Sequence, residues 1–258
     1  MEAPLIAPRW TITLSVWKQT TPPVRQKTNI DPQTPLALMN KVSEQLRCFK
    51  LFGLQRTATN LMMRGLLANF DVQSGENGWE WKHGPITRAA EDGLAIVVCV
   101  RHPLAWLDAM YRFSMRTRDR DGCKHFRRTW TFAEFCVNRH YRWQNPVLRW
   151  NEMNRHYSDW VANHPTQGLL VRSEELLGTK LQEEVFMRVG GFFQWNRKDD
   201  TIHTFRRKVR HATPTLGSLM DWDYYLLRKY IALYTQELLA LVTGQIDKEL
   251  AERLSYAL

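Results

Sequence analysis

The chain has 258 residues, 44% of them hydrophobic and 24% charged, and carries a net charge of +10. That length and balance suit one sizeable globular core, and no apolar run reaches the roughly 18 residues that a membrane span needs, so a cytoplasmic protein without membrane association is expected. The positive surplus points to anionic partners: nucleic acid, an anionic surface or a small polyanion.

Residues 1–46 are rich in proline and threonine and read as an irregular leading segment of one single domain spanning 1–258, with a short helix near Leu36–Leu46. Their first residues lack a basic lead and a clean apolar stretch, so no secretory leader is expected. Phe49–Gly53 reads as a short apolar strand, and Asn60–Phe70 carries Leu61, Met62, Leu66, Leu67 and Phe70 at helical spacing. Trp79-Glu-Trp-Lys-His-Gly84 follows and reads as a second strand end. Ile96-Val-Val-Cys-Val100 is a β-branched run of the kind buried on both faces. Pro103–Phe113 is helical, with its proline in the first turn, where a missing N–H costs little. Phe132–Trp160 is an aromatic-rich helical region broken at Pro146. Gly168–Arg172 is a strand, Leu176–Val189 a helix, 191–213 a basic loop and Leu216–Leu254 mostly helical. Strands alternating with helices predict an α/β fold of three layers, a central parallel sheet flanked by helices.

The four cysteines, Cys48, Cys99, Cys123 and Cys136, show no CxxC pairing and read as buried thiols of a reducing compartment, with no metal site. Most of the eleven tryptophans are expected in the core or in pocket walls. The basic run Phe205-Arg-Arg-Lys-Val-Arg-His211 reads most simply as a solvated face.

The turn Gly53-Leu-Gln-Arg-Thr-Ala-Thr-Asn60 lies where a strand of a parallel sheet meets a helix. Ligands of such sheets sit at the carboxyl ends of the strands. The helix start offers unpaired N–H groups and the positive end of its dipole, which together hold phosphate-like anions. Thr57, Thr59 and Asn60 add side-chain donors, and Arg56 adds a planar guanidinium. Taken alone, the stretch fits equally a helix capped at Thr59 beside a surface arginine. It is not a Walker A loop, because the second glycine and the lysine are absent.

The turn resembles the 5′-phosphosulfate loop of the sulfotransferases that use 3′-phosphoadenylyl sulfate (PAPS). Val98-Cys-Val-Arg-His-Pro-Leu-Ala-Trp-Leu-Asp-Ala-Met-Tyr-Arg-Phe113 is similar to that family's 3′-phosphate segment, and Leu170-Val-Arg-Ser-Glu-Glu-Leu176 is weakly similar to a third strand end. The resemblance covers roughly residues 47–210. It implies the P-loop-like sulfotransferase fold, PAPS as donor, PAP as product and no metal. It implies that Arg56, Thr57, Ala58, Thr59 and Asn60 hold the phosphosulfate, that Arg101 and Ser173 hold the 3′-phosphate end, and that Arg206, Arg207 and Lys208 close over it. His83 is then the expected base, imidazole titrating near pH 6.5, with Lys82 and Arg56 completing the catalytic set and Glu80 the alternative base. Two departures stand out. Ala58 replaces a glycine, so that residue should be helical or the loop reshaped. Ala109 replaces a serine, beside an Asp108 that would repel an anion if it pointed inward.

The expected reaction moves a sulfuryl group to a hydroxyl or amine of a small-molecule acceptor, with Trp79, Glu80 and Trp81 in the acceptor site. Aromatic rings with Glu76, Glu80, Asp119 and Asp121 nearby suit a polar or cationic acceptor, such as a natural product. No nucleic acid beyond the nucleotide donor is expected, and nothing indicates an oligomeric state. The competing readings are a basic nucleic-acid-binding protein, a small-molecule kinase using the same anion sites, or a catalytically silent relative.

Overall fold

A computed structural model describes residues 48–75, 81–87, 94–116, 130–206 and 221–258. Four parallel strands form one sheet: β1 (Cys48–Phe52), β2 (Gln73–Ser74), β3 (Ala95–Val100) and β4 (Gly168–Arg172), in the order β2-β1-β3-β4. Phe49 pairs with Ala95 across β1 and β3, and Ile96 with Gly168 across β3 and β4. All six residues of β3 are buried, as its unbroken β-branched run requires.

Side chains alternate along the strands and fill two cores, one on each face of the sheet. Phe52, Ile96, Val98 and Val100 point to one side, onto α2 (Pro103–Arg116), α3 (Phe132–Val137) and α4 (Pro146–Asn163). That core also takes in α7 (Gln236–Gln245) and α8 (Lys248–Arg253). Phe49, Leu51, Val97 and Cys99 point to the other side, onto α1 (Thr59–Asn69) and α5 (Thr179–Phe192). On that side a Cβ at Gly65 would lie 2.1 Å from the Phe186 ring, so glycine lets α1 and α5 approach closely. The three-layer α/β architecture expected from the sequence is present.

Several boundaries differ from expectation. The helical region 132–160 is interrupted as expected, but the gap covers 138–145 and Pro146 begins the second helix, with Asn145 as its cap accepting from Leu148 N. The stretch after β4 is first a short 3₁₀ turn, Ser173–Leu176, and α5 starts only at Thr179. The C-terminal region is α6 (Trp222–Leu226), a 3₁₀ turn at Lys229–Leu233, α7 and α8. The starts of α6, α7 and α8 are set by the side-chain caps Asp221, Thr235 and Asp247. The strand after α1 is Gln73–Ser74, so residues 81–84 form a turn rather than a strand end. Cys99 and Cys136 are buried, but Cys48 is exposed at the first position of β1. Cys123 and the leading segment, with its expected helix, lie outside the described residues. No helix among them is long and apolar enough to cross a membrane.

The chain runs from β1 outward to β2, then returns to the opposite side of β1 as β3. That reversal places the crevice at the carboxyl ends of β1 and β3, where an open parallel sheet takes its ligand.

Candidate functional site

β1 ends at Gly53, whose φ is 146°. A Cβ there would lie 2.3 Å from the Cys99 carbonyl oxygen and 2.7 Å from Thr57 Oγ1, so only glycine lets the loop leave the sheet this close to β3. Beyond it the loop turns tightly. Thr57 Oγ1 donates to Leu54 O at 2.7 Å and is buried with its side chain.

Arg56 and Ala58 both have left-handed backbones, φ 72° and 64°. Ala58 is the cap residue of α1 and gives no side-chain hydrogen bond to the helix. Of the two expectations for alanine here, the helical one is overturned. The turn keeps its positive φ and tolerates the strained alanine, while Thr59 is the first helical residue, not the cap. A left-handed alanine costs on the order of 1 kcal/mol, and an unfilled cap costs a similar amount. Alternating left-handed residues just before a helix form a concavity of N–H groups suited to an anion. Ala58→Gly should therefore raise stability by about 1 kcal/mol, read as a higher melting midpoint, without loss of anion binding.

The loop carbonyls are each tied back. His83 Nδ1 donates to Gly53 O at 2.7 Å, Trp106 Nε1 to Gln55 O at 2.8 Å and Arg101 Nη1 to Arg56 O at 2.8 Å. A trans peptide sets its N–H opposite its carbonyl, so these ties turn the N–H groups of Leu54 and Arg56 away from those donors, while Thr57 N donates within the loop to Leu54 O at 3.3 Å. In the first turn of α1, Leu61 N and Met62 N both donate to Ala58 O at 3.0 Å, which leaves the N–H groups of Thr59 and Asn60 without an intrahelical acceptor. The result is an electropositive cradle at the carboxyl edge of the sheet.

The expected site residues of the described chain largely converge on this cradle. Gly53 N donates to Lys82 O at 3.0 Å, docking the 81–84 turn onto the end of β1. Lys82 Nζ donates to Asn60 Oδ1 at 2.9 Å, which holds its ammonium at the first turn of α1. The same charge is felt by the Cys99 thiol, whose burial nonetheless pushes its pKa up to about 12 and leaves it inert. The Gly53 carbonyl takes the Nδ1 proton of His83, so in the neutral ring Nε2 is the basic nitrogen. Trp81 is 59% exposed and meets the His83 ring edge-on at 5.4 Å. Arg101 lies over the Tyr225 ring at 4.1 Å, and the exposed Arg56 lies 5.4 Å from the Phe113 ring centre.

Other expectations do not converge. Ser173 Oγ is buried against Glu174, with Oε2 at 3.5 Å, and that carboxylate also accepts from Tyr256 OH and His102 N. A hydroxyl committed to a carboxylate is poorly placed for an anion. Asp108 is held by partners outside the loop, although the Arg101 charge also reaches it. It is fully buried, with Arg112 Nε at 2.7 Å and Tyr224 OH at 3.2 Å on one oxygen, and burial pushes its pKa up against those partners. Arg206 is exposed and follows Phe205, whose ring sits under Arg64 of α1 at 5.0 Å. Trp79, Glu80, Arg207 and Lys208 lie outside the described residues, as do Glu76, Asp119 and Asp121. Among the described residues no cluster of His, Cys, Asp and Glu suits a metal ion.

Comparison with protein-family models, characterised proteins and solved structures gives no match.

The sequence did not reveal the platform beneath the cradle. Helix α4 anchors every turn of the site: Arg149 Nη2 donates to Gln55 Oε1 at 2.7 Å, Trp150 Nε1 to Arg101 O at 2.9 Å and Tyr157 OH to Gly84 O at 2.8 Å. The side chain of His156 accepts from Ile86 N at 2.9 Å. Helical spacing put Arg149, Trp150, Met153 and Tyr157 on one face, which was legible, but its target was not. Two buried amides were missed as well. Asn69 exchanges hydrogen bonds with the His203 backbone, and Gln182 with the Phe205 backbone, which fixes residues 203–205 beside α1.

Proposed function

We propose that this protein is a sulfotransferase, moving the sulfuryl group of PAPS to a hydroxyl or amine of a small-molecule acceptor on a P-loop-like sulfotransferase fold. One observation carries the reading: Lys82, His83 and Arg101, from two separate segments, all bond to the single loop Gly53–Asn60. A chain that merely caps a helix has no need to bring a lysine, a histidine and a second arginine to its start.

In this reading the loop N–H groups and Arg56 hold the phosphosulfate, and Arg101 reaches the 3′-phosphate. Sulfuryl transfer is an in-line displacement, and as in phosphoryl transfer the protein acts mainly by positioning and charge. His83 Nε2 takes the acceptor's proton as its oxygen or nitrogen bonds to sulfur. The bond from sulfur to the bridging oxygen breaks, and Arg56 with the cradle N–H groups stabilises the charge left on the PAP phosphate. Lys82, steadied by Asn60, neutralises the sulfuryl oxygens in flight. Trp81 beside His83 is the described part of the acceptor wall, and Trp79 and Glu80 belong to the same segment.

The test is thermal. A ligand bound only by the folded state adds about 2.7 kcal/mol at a hundredfold excess over its Kd. PAP should raise the melting midpoint clearly, and ATP, with its phosphates on the 5′ side alone, should raise it little. Equal shifts with the two would favour a kinase, and binding of oligonucleotides with steep salt dependence and no competition by PAP would favour a nucleic-acid-binding protein.

A further inference from the structure

Arg149 is an anomaly of the core. It is 2% exposed; Nη2 donates to the Gln55 side chain and the Tyr141 phenol also lies in hydrogen-bond range, yet Nε and Nη1 have no acceptor. Among the described residues no carboxylate pairs with it. Its guanidinium lies 4.6 Å from the Tyr141 ring centre and 5.2 Å from that of Trp143. Glu152, three residues along α4, is already taken by Arg142 and by the Trp143 indole. Burial pulls the Arg149 pKa down and Arg142 adds repulsion, with only the phenols of Tyr141 and Tyr157 in opposition. Removing a cation from water without an anion to meet it is among the costliest arrangements a fold can hold.

The position of this charge explains why it persists. Gln55 is the residue before Arg56, and both of its carbonyl groups are held, the backbone one by Trp106 and the side-chain one by Arg149. Arg149 therefore reaches the loop through one side chain, that of Gln55. In a site of low dielectric a charge at that range acts strongly.

We infer that Arg149 is the buried electrostatic floor of the cradle, and that its missing counter-ion is the phosphate or sulfate group bound on the far side of Gln55. It is a positioning residue. It touches no ligand, but it fixes Gln55 and adds an unneutralised positive charge under the site. The inference rests on reading the loop as an anion cradle; it does not require PAPS. Coupling between sites is reciprocal, so whatever the bound anion gains from Arg149, the ligand-free protein lacks. A merely structural arginine stabilises the ligand-free fold. An arginine kept for an absent anion destabilises it.

The experiment uses the full chain with Arg149→Met and Arg149→Lys, melted alone and titrated with PAP and with inorganic pyrophosphate. Arg149→Met should melt at or above the parent without ligand, yet bind both anions about tenfold more weakly, a difference of about 1.4 kcal/mol. Arg149→Lys keeps the charge and should stay within about threefold of the parent. A methionine variant that melts lower or does not fold, together with a lysine variant as weak as it, would overturn the inference, because the fork rather than the charge would then matter. Unchanged anion affinity in Arg149→Met would overturn it too, as would a parent protein that binds neither anion. Pyrophosphate binding that depends on Arg149, without PAP binding, would uphold this inference and refute the sulfotransferase reading.

Discussion

Replacing His83 with asparagine should abolish turnover while PAP still binds. The amide of asparagine can reproduce the Nδ1 donor that reaches Gly53 O at 2.7 Å, so the 81–84 turn stays docked. What disappears is Nε2, the basic nitrogen. General-base catalysis is worth about 10²–10⁴-fold, and kcat should fall by that factor with little change in PAP affinity. His83→Ala removes the tie as well and should weaken PAP binding in addition. The comparison separates the two duties of one ring. If His83→Asn retains full kcat, the base lies elsewhere, and Glu80 is the next residue to replace.

Arg101→Ala carries the second large effect, because the side chain does two things. Its Nη1 fixes the Arg56 carbonyl, and its guanidinium stacks on Tyr225 at 4.1 Å, facing the end of β3. Losing a charge-assisted contact to phosphate costs about 2–3 kcal/mol, so PAP affinity should fall by on the order of 100-fold. AMP, which lacks the 3′-phosphate, should lose far less. Arg101→Lys should recover only part of the loss, because an ammonium does not hold both the Arg56 carbonyl and a phosphate in one plane.

Much of the scaffold was legible because it is local. The β-branched run at 96–100, the proline at 103 and the apolar spacing after Asn60 each dictate their element with no distant partner. The turn between β1 and α1 was legible for the same reason: a strand, a glycine and a helix start are a local sentence. β2 was not, since two residues carry no periodicity, and its place beside β1 comes from long-range pairing. The backbone at Ala58 runs against local preference, with φ 64°, so its conformation could not be read from its residue type.

The tertiary ties were the least legible. Nothing near Arg101 announces that its guanidinium closes on the Arg56 carbonyl, and nothing near Arg149 announces Gln55. Both depend on how α2 and α4 pack on the sheet. Ser173 shows the opposite failure: it sits at the end of a strand on the right edge, but Glu174 and Tyr256 claim its surroundings. A position in the sheet was correct there, and the chemistry of its neighbours was not foreseeable.

The central claim is that the ends of β1 and β3 grip two ends of one adenine nucleotide. Calorimetric titration of the intact protein with PAP and with AMP measures it directly. PAP should bind at least about 30-fold tighter than AMP, roughly 2 kcal/mol for the 3′-phosphate, with that gap closing in Arg101→Ala. Equal affinities for PAP and AMP, or a gap that survives the loss of Arg101, would contradict it.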